Sequence, residues 1–161
     1  MGRIWLTLTA FVLCVFAGAQ GTNQGANLYA TRCAVCHGIQ GQGTPGLYPP
    51  LAGSLGRLLA LPEARAYVVW VVRYGLSGAI ASGGGTYKGV MPAHPGFSLE
   101  ELVALLNHLL SLNSSYLPSD YPFFTLDEVG KYLEQSKTPF ELHKLREELV
   151  RRLGAKGLPP P

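Results

Sequence analysis

Cys33-Ala34-Val35-Cys36-His37 is the segment from which the rest of this sequence is best interpreted. Cysteines three positions apart lie about one helical turn apart and share one face of a helix. The histidine follows directly, so its imidazole is carried beside the two thiols. The segment therefore predicts one site in which two sulfur atoms and one ring nitrogen meet the same group.

This Cys-x-x-Cys-His pattern is typical of c-type haem attachment. The thiols of Cys33 and Cys36 add to the two vinyl groups of the porphyrin, and His37 lies below the ring as the proximal ligand of the iron. A structural zinc site would need about four protein ligands, and no second cysteine pair is present. A disulfide across so short a loop would gain little, and a thioredoxin-like dithiol needs a βαβ setting. We therefore predict one covalently bound haem c.

Met91 is the candidate for the second axial ligand of the iron. It lies in the stretch Tyr-Lys-Gly-Val-Met-Pro-Ala-His over residues 87–94, outside any hydrophobic helix face, and the only other methionine is Met1. A thioether favours Fe(II), so ligation by His37 and Met91 raises the reduction potential. Two alternatives stay open: His94 as the distal ligand, and Met91 packed on the haem without binding the iron.

Residues 1–19 have the features of a signal peptide. Arg3 supplies a positive charge, Ile4–Phe16 is apolar, and Ala17-Gly18-Ala19 offers small residues for cleavage before Gln20. The apolar run is shorter than the roughly 20 residues that a membrane-spanning helix needs. The expectation is a periplasmic or otherwise exported protein; an uncleaved segment would instead anchor it to a membrane.

Three helices are predicted around the attachment segment. The first covers residues 25–37, and the second runs from Pro62 to Tyr74, although its valines would also suit a strand. The third covers 99–111, where Ser98 and Glu101 form a capping box before regularly spaced leucines. The sequences 38–53 and 75–89 are rich in glycine and predict long loops, and no strand pattern alternates clearly.

Residues 113–161 predict a helical extension that differs in composition from the haem domain over 20–112. Thr125 with Glu128, and Thr138 with Glu141, each predict a helix start. The extension has seven positive and seven negative residues, and its tail from Lys156 is expected to be frayed. Short helices are marginal alone in water, so their apolar faces must pack on the haem domain or on a partner. These faces consist of Leu126, Val129, Leu133, Leu142, Leu145, Leu149 and Leu153.

Several stretches around the attachment segment carry a resemblance to a known family. Gly25 with Tyr29 precedes the segment, Leu-Tyr-Pro-Pro-Leu-Ala-Gly follows at 47–53, and Gly-Gly-Gly-Thr-Tyr-Lys-Gly-Val-Met-Pro-Ala occupies 83–93. From about Gly25 to Leu112 the chain resembles the class I c-type cytochromes, specifically the small bacterial carriers with His/Met ligation. Residues 113–161 resemble no family.

The resemblance implies roles for individual residues. Gly25 would admit a close helix crossing, and His108 stands where the family usually has an aromatic residue packed on the first helix. A proline carbonyl would accept a hydrogen bond from the proximal histidine. Either Pro49 or Pro50 would supply it, and Pro50 is assigned to the site.

The sequence as a whole predicts an all-α cytochrome c fold with three main helices, long loops around one haem and a C-terminal helical extension. The predicted function is one-electron transfer between redox proteins in the periplasm, as a carrier and not an enzyme. A haem subunit of a larger, membrane-associated dehydrogenase or oxidase is the main alternative, and a haem sensor or enzyme with a displaceable Met91 is another. The net charge of +3 is too small to indicate a nucleic-acid partner.

Overall fold

The computed structural model describes residues 17–161, with side chains from Asn23 onward. The predicted signal peptide lies almost wholly outside the described residues. Within the described part of the chain, no helix is both long enough and apolar enough to cross a membrane.

The described chain is mostly helical with one small sheet. The helices are α1 (Ala17–Arg32), α2 (Ala34–His37), α3 (Ser54–Leu58), α4 (Ala64–Tyr74), α5 (Leu99–Ser111), α6 (Leu126–Leu133) and α7 (Pro139–Ala155), and the strands are β1 (Leu76–Ser82) and β2 (Gly85–Met91). The helices predicted at 62–74 and 99–111 are confirmed, including the capping box of Ser98 and Glu101. The helix predicted at 25–37 is divided at Cys33 into α1 and α2.

The crossing of α1 and α5 forms the centre of the haem domain. A Cβ atom placed on Gly25 would lie 2.1 Å from the carbonyl oxygen of Ala104, so only glycine allows the two backbones to come this close. The Tyr29 ring is fully buried at the same crossing, with its centroid 5.1 Å from that of the His108 ring. Gly25 and His108 therefore take the positions that the resemblance implied for them.

Residues 75–89 do not form the predicted loop, because they belong to a β-hairpin. Strands β1 and β2 are antiparallel, with Leu76 opposite Met91 and Ser82 opposite Gly85. The loop residues Gly83 and Gly84 have φ of +56° and +80°, which two-residue hairpin turns accept readily from glycine. Glycines within the strands obscure the alternation of apolar and polar residues that would otherwise predict these strands.

Helix α7 packs against strand β1 of this hairpin. The imidazole Nε2 of His143 donates to the carbonyl of Ala79 at 2.8 Å, and Nη2 of Arg146 donates to the carbonyl of Ala81 at 2.8 Å. The His143 side chain is 20% exposed, although most of its charged neighbours in the sequence are exposed. The hairpin depends on contacts from a distant part of the sequence, which explains why its own residues do not predict it.

The extension packs on the haem domain through most of its predicted apolar face. Val129, Leu142, Leu149 and Leu153 are fully or almost fully buried, whereas Leu126 is exposed. Both predicted helices begin where expected, since Thr125 and Thr138 accept hydrogen bonds from the backbone N–H groups three residues later. The main apolar face of the extension is thus part of the core of this same chain.

The C-terminal tail also contacts the haem domain. The N–H of Gly83 donates to the carbonyl of Pro161 at 2.8 Å, and Arg57 donates to the carbonyl of Pro160 at 3.3 Å. Pro161 is buried. Residues 156–160 are exposed, so these contacts hold only the end of the tail, and the frayed tail stays a prediction.

Candidate haem site

The attachment segment forms one tight turn beside a cavity. The N–H groups of Cys36 and His37 both donate to the carbonyl of Cys33, at 3.1 and 2.9 Å. The two cysteines are half-buried and are not joined by a disulfide. Burial, together with the neighbouring Cys36, raises the pKa of the Cys33 thiol to about 11. The two sulfurs are thus carried at one edge of the cavity by a single short element.

Tyr29 fixes the end of this turn. Its hydroxyl donates to the carbonyl of Gly38 at 2.7 Å, immediately after the histidine. Burial is the main cause that raises the pKa of Tyr29, to about 12, so the phenol keeps its proton and remains a donor. The α1–α5 crossing is therefore connected directly to the attachment segment.

The imidazole of His37 is oriented by a backbone carbonyl. Its Nδ1 lies 2.9 Å from the carbonyl oxygen of Pro49. Because the carbonyl can only accept, Nδ1 carries the proton and Nε2 keeps a lone pair for a metal. Burial lowers the pKa of His37, although the bond to Pro49 opposes this, and the neutral ring is the form that binds iron.

The acceptor is Pro49, one of the two prolines that the resemblance offered, so Pro50, which was assigned to the site, does not have this role. Pro50 lines the cavity instead, and its ring lies against the hairpin turn, 2.5 Å from where a Cβ on Gly83 would be. The two adjacent prolines therefore have separate structural roles. Sequence alone does not distinguish them, because the carbonyl direction depends on the loop conformation.

A cavity of about 380 Å³ connects these residues with the rest of the haem domain. Its walls are mostly aliphatic and come from the loop before α3, from α3, α4 and α5, and from the hairpin: Leu51, Leu55, Leu58, Val68, Val71, Val72, Leu76, Ile80, Leu105 and Leu109. Ligand sites of this kind combine apolar walls with a few polar groups. Aliphatic walls, two thiols at one edge and an imidazole lone pair suit a porphyrin, so the residues present fit a haem.

Met91 and His94 both line this cavity, together with His37. Met91 ends β2, and Gly75 lies so close to the Met91 carbonyl that a Cβ there would be 2.7 Å from it. The ring of His94 stacks on that of Phe97, with centroids 5.4 Å apart and planes 18° apart. Burial lowers the pKa of His94, with Arg32 adding to the effect. The assignment of Met91 as distal ligand stays a prediction.

Among the cavity residues that the sequence did not indicate, one tyrosine and one arginine stand out by their burial. Tyr67 on α4 and Arg146 on α7 both line the cavity and are buried. The sequence did carry a signal for Arg146, because it falls on the same helical face as Leu142 and Leu149, four residues after one and three before the other. A charged residue on a buried face indicates a specific partner.

Comparison with known proteins gives one family and two similar chains. Residues 22–113 match the family described as Cytochrome c. A protein described as cytochrome c-552, from a strain of Thermus thermophilus, is 38% identical over 144 residues, covering 89% of this chain and 96% of that protein. Another cytochrome c-552 from Thermus thermophilus is 38% identical over 126 residues, covering 78% and 95%. A match of 144 residues necessarily extends past residue 113, so the first similarity includes part of the extension.

Proposed function

We propose that this chain, which belongs to the cytochrome c family, carries single electrons in the periplasm from one redox protein to another. Family membership already establishes the coarser statements: the protein binds haem c covalently, it is an electron carrier, and its partners are redox proteins. The proposal of single-electron transfer rests on one observation: the cavity brings Cys33, Cys36, His37 and Met91 together.

The residues of the cavity have distinct roles in this function. Cys33 and Cys36 would hold the haem through thioether bonds, so that it is not lost outside the cytoplasm. His37 would bind the iron through Nε2, and Pro49 would keep the ring in one tautomer and one orientation. Bound haem supplies an iron that alternates between Fe(III) and Fe(II) by gaining and losing one electron. The aliphatic walls keep water away from it and favour Fe(II), which carries less charge.

Met91 is proposed as the distal ligand. Its thioether is a weak donor that stabilises Fe(II), and its backbone is fixed by pairing with β1 and by contact with Gly75. The His94 ring is engaged with Phe97, which favours Met91 over the histidine. A closed sixth position suits a carrier, because oxygen and peroxide then have no place to bind.

The cavity mouth offers an apolar surface for partner proteins. Leu47 and Val90 line the cavity and are largely exposed, and Val35, between the two cysteines, is 83% exposed. Exposed apolar groups around a redox centre mark a contact surface. We propose that donor and acceptor dock here in turn, each through an apolar patch of its own, and exchange one electron with the iron through the haem edge.

The proposal includes export of the protein and its action as a freestanding carrier. The N-terminal segment over residues 1–19 supports export, and thiols outside the cytoplasm are available for haem attachment. The alternative, a haem subunit held in a dehydrogenase or oxidase by its extension, needs an apolar face on that extension. Val129, Leu142 and Leu149 are buried against the haem domain of the same chain, which favours a freestanding carrier. Cell fractionation would test the location, and a haem signal found only in the cytoplasm would contradict it.

Substitution of the two candidate ligands tests the proposed iron site. The oxidised protein should show the weak far-red charge-transfer band of a thioether on ferric haem. Met91→Ala should remove the band, lower the reduction potential and allow carbon monoxide to bind the ferrous iron. His94→Ala is the matched control and should leave all three properties unchanged. The distal ligand is misassigned if His94→Ala produces these changes and Met91→Ala does not.

The docking surface has a test of its own. Val90→Lys should slow electron exchange with a periplasmic redox partner, because a charge at the mouth must be desolvated on docking. Phe123→Lys places the same charge on an exposed apolar residue outside the cavity lining and should not slow exchange. Equal rates for the two variants would contradict docking at the mouth.

A further inference from the structure

Two buried polar atoms lack a hydrogen-bond partner among the described residues: the hydroxyl oxygen of Tyr67 and Nε of Arg146. Tyr67 is 2% exposed and Arg146 is 8% exposed, so water does not replace the missing partner easily. Both residues line the haem cavity, one from α4 and one from α7. Buried donors are nearly always paired in folded proteins, so two of them in one cavity indicate a missing acceptor.

The guanidinium of Arg146 is held in place but not neutralised. Nη2 donates to the carbonyl of Ala81 at 2.8 Å, and the buried residues Leu142 and Leu149 fix the face of the helix that carries it. None of the ion pairs in the described chain includes Arg146. Arginine side chains in proteins are permanent cations, and a buried charge needs a counter-charge. The missing acceptor is therefore an anion.

Haem c brings such an anion into this cavity. It carries two propionate groups, on pyrrole rings other than those that receive the thioether links. A carboxylate accepts several hydrogen bonds at once, and an arginine fork and a phenol are both suitable donors. We propose that Arg146 of the C-terminal extension and Tyr67 of α4 together bind a propionate of the haem. This inference rests on the haem site proposed above.

In this arrangement the extension forms part of the redox site. The haem domain supplies the attachment segment and Tyr67, while the extension supplies the only arginine among the described residues that line the cavity. A cation paired with the propionate offsets a negative charge beside the iron, and this charge would otherwise stabilise Fe(III). Arg146 is therefore expected to keep the reduction potential high, without touching the iron.

The test compares four variants of the full-length holoprotein. Arg146→Gln should lower the reduction potential and shift the carboxylate band in the redox-difference infrared spectrum. Tyr67→Phe removes one oxygen atom and should shift the same band, with a smaller change of potential. Arg146→Lys keeps the charge and should retain most of the wild-type potential. Arg151→Gln is the matched control, because it removes one positive charge from an exposed position on the same helix and should leave both properties unchanged.

Several results would overturn the proposal. One is an Arg146→Gln protein that holds covalent haem and matches Arg151→Gln in both potential and infrared band. If Arg146→Gln does not fold, Tyr67→Phe decides the matter, and an unshifted carboxylate band in that variant refutes the contact. Absence of covalent haem from the wild type would instead refute the proposed haem site, so the two failures are distinguishable.

Discussion

Replacement of Arg65 by methionine should destabilise the whole protein, because this residue joins the extension to the haem domain. From α4, its Nε and Nη2 donate to the two carboxylate oxygens of Glu128 on α6, at 2.6 and 2.7 Å. Nη1 donates to the carbonyl of Pro122 at 2.9 Å, and the guanidinium lies 4.0 Å from the centroid of the Phe124 ring. Methionine keeps much of the aliphatic volume and removes all of these interactions.

The magnitude follows from the burial of the pair. Breaking a buried ion pair costs about 3 to 5 kcal/mol, because one charge is left without its partner. The side chain of Arg65 is 10% exposed and that of Glu128 is 24% exposed, so water would partly solvate the remaining carboxylate. Tyr132 also continues to donate to Glu128, at 3.0 Å. We therefore expect Arg65→Met to lower the free energy of unfolding by about 3 kcal/mol.

Urea denaturation of the oxidised protein, followed by far-ultraviolet circular dichroism and by Soret absorbance, measures this change. Lys131→Met is the matched control, because it breaks an exposed pair with Asp127 on the same helix α6 and should leave the midpoint almost unchanged. Both probes should report a single transition if extension and haem domain unfold together. Equal midpoints for Arg65→Met and Lys131→Met would refute the account of how the extension is attached.

The pair of Arg65 and Glu128 should also make the stability of the protein depend on pH. Burial alone would raise the pKa of Glu128, but the hydrogen bonds from Arg65 and Tyr132 outweigh it and hold the pKa below its ordinary value. A carboxyl with a lowered folded-state pKa stabilises the protein above its unfolded pKa, and this stabilisation is lost as pH falls through the folded value. The stability difference between wild type and Arg65→Met should thus be full at neutral pH and shrink below about pH 4.3.

Four further variants test other contacts by equilibrium unfolding. Gly25→Ala should lower the free energy of unfolding by about 1 to 3 kcal/mol, because its methyl group would overlap a backbone carbonyl of α5. Gly130→Ala in α6 is the control and should instead stabilise the protein by about 0.5 to 1 kcal/mol, since the nearest atom is 3.9 Å from the added Cβ. Losses of similar size in both variants would contradict the close crossing. Tyr29→Phe should cost about 1 kcal/mol through the lost bond to Gly38, and an unchanged midpoint would show that this bond contributes nothing. Truncation after Leu112 should reduce stability or solubility while haem stays attached, and a truncated protein as stable as the full chain would contradict the packing of α6 and α7.

The features that sequence predicts well are those with a local chemical signal. The attachment segment combines residue types and spacing that few other sites require. The helices at 62–74 and 99–111 have their apolar spacing within one element, and Ser98 and Thr138 mark helix starts through bonds only three residues long. Such signals do not depend on the rest of the fold, which is why they are reliable.

The features that sequence does not predict depend on contacts between distant residues. The hairpin of β1 and β2 is supported by α7, about sixty residues further along the chain. The end of the tail, at Pro160 and Pro161, has its hydrogen-bond partners at Arg57 and Gly83. The choice of Pro49 over Pro50 is a matter of carbonyl direction. Each of these requires the folded neighbour to be known first.

Intact mass spectrometry after acid–organic extraction tests the central claim most directly, since only covalently attached haem survives that treatment. The wild-type protein should retain the mass of one haem, and a variant with Cys33→Ala and Cys36→Ala should lose all haem, because ligation by side chains alone ends when the fold is lost. A wild-type mass equal to that of the bare chain, with both thiols free, would contradict the account.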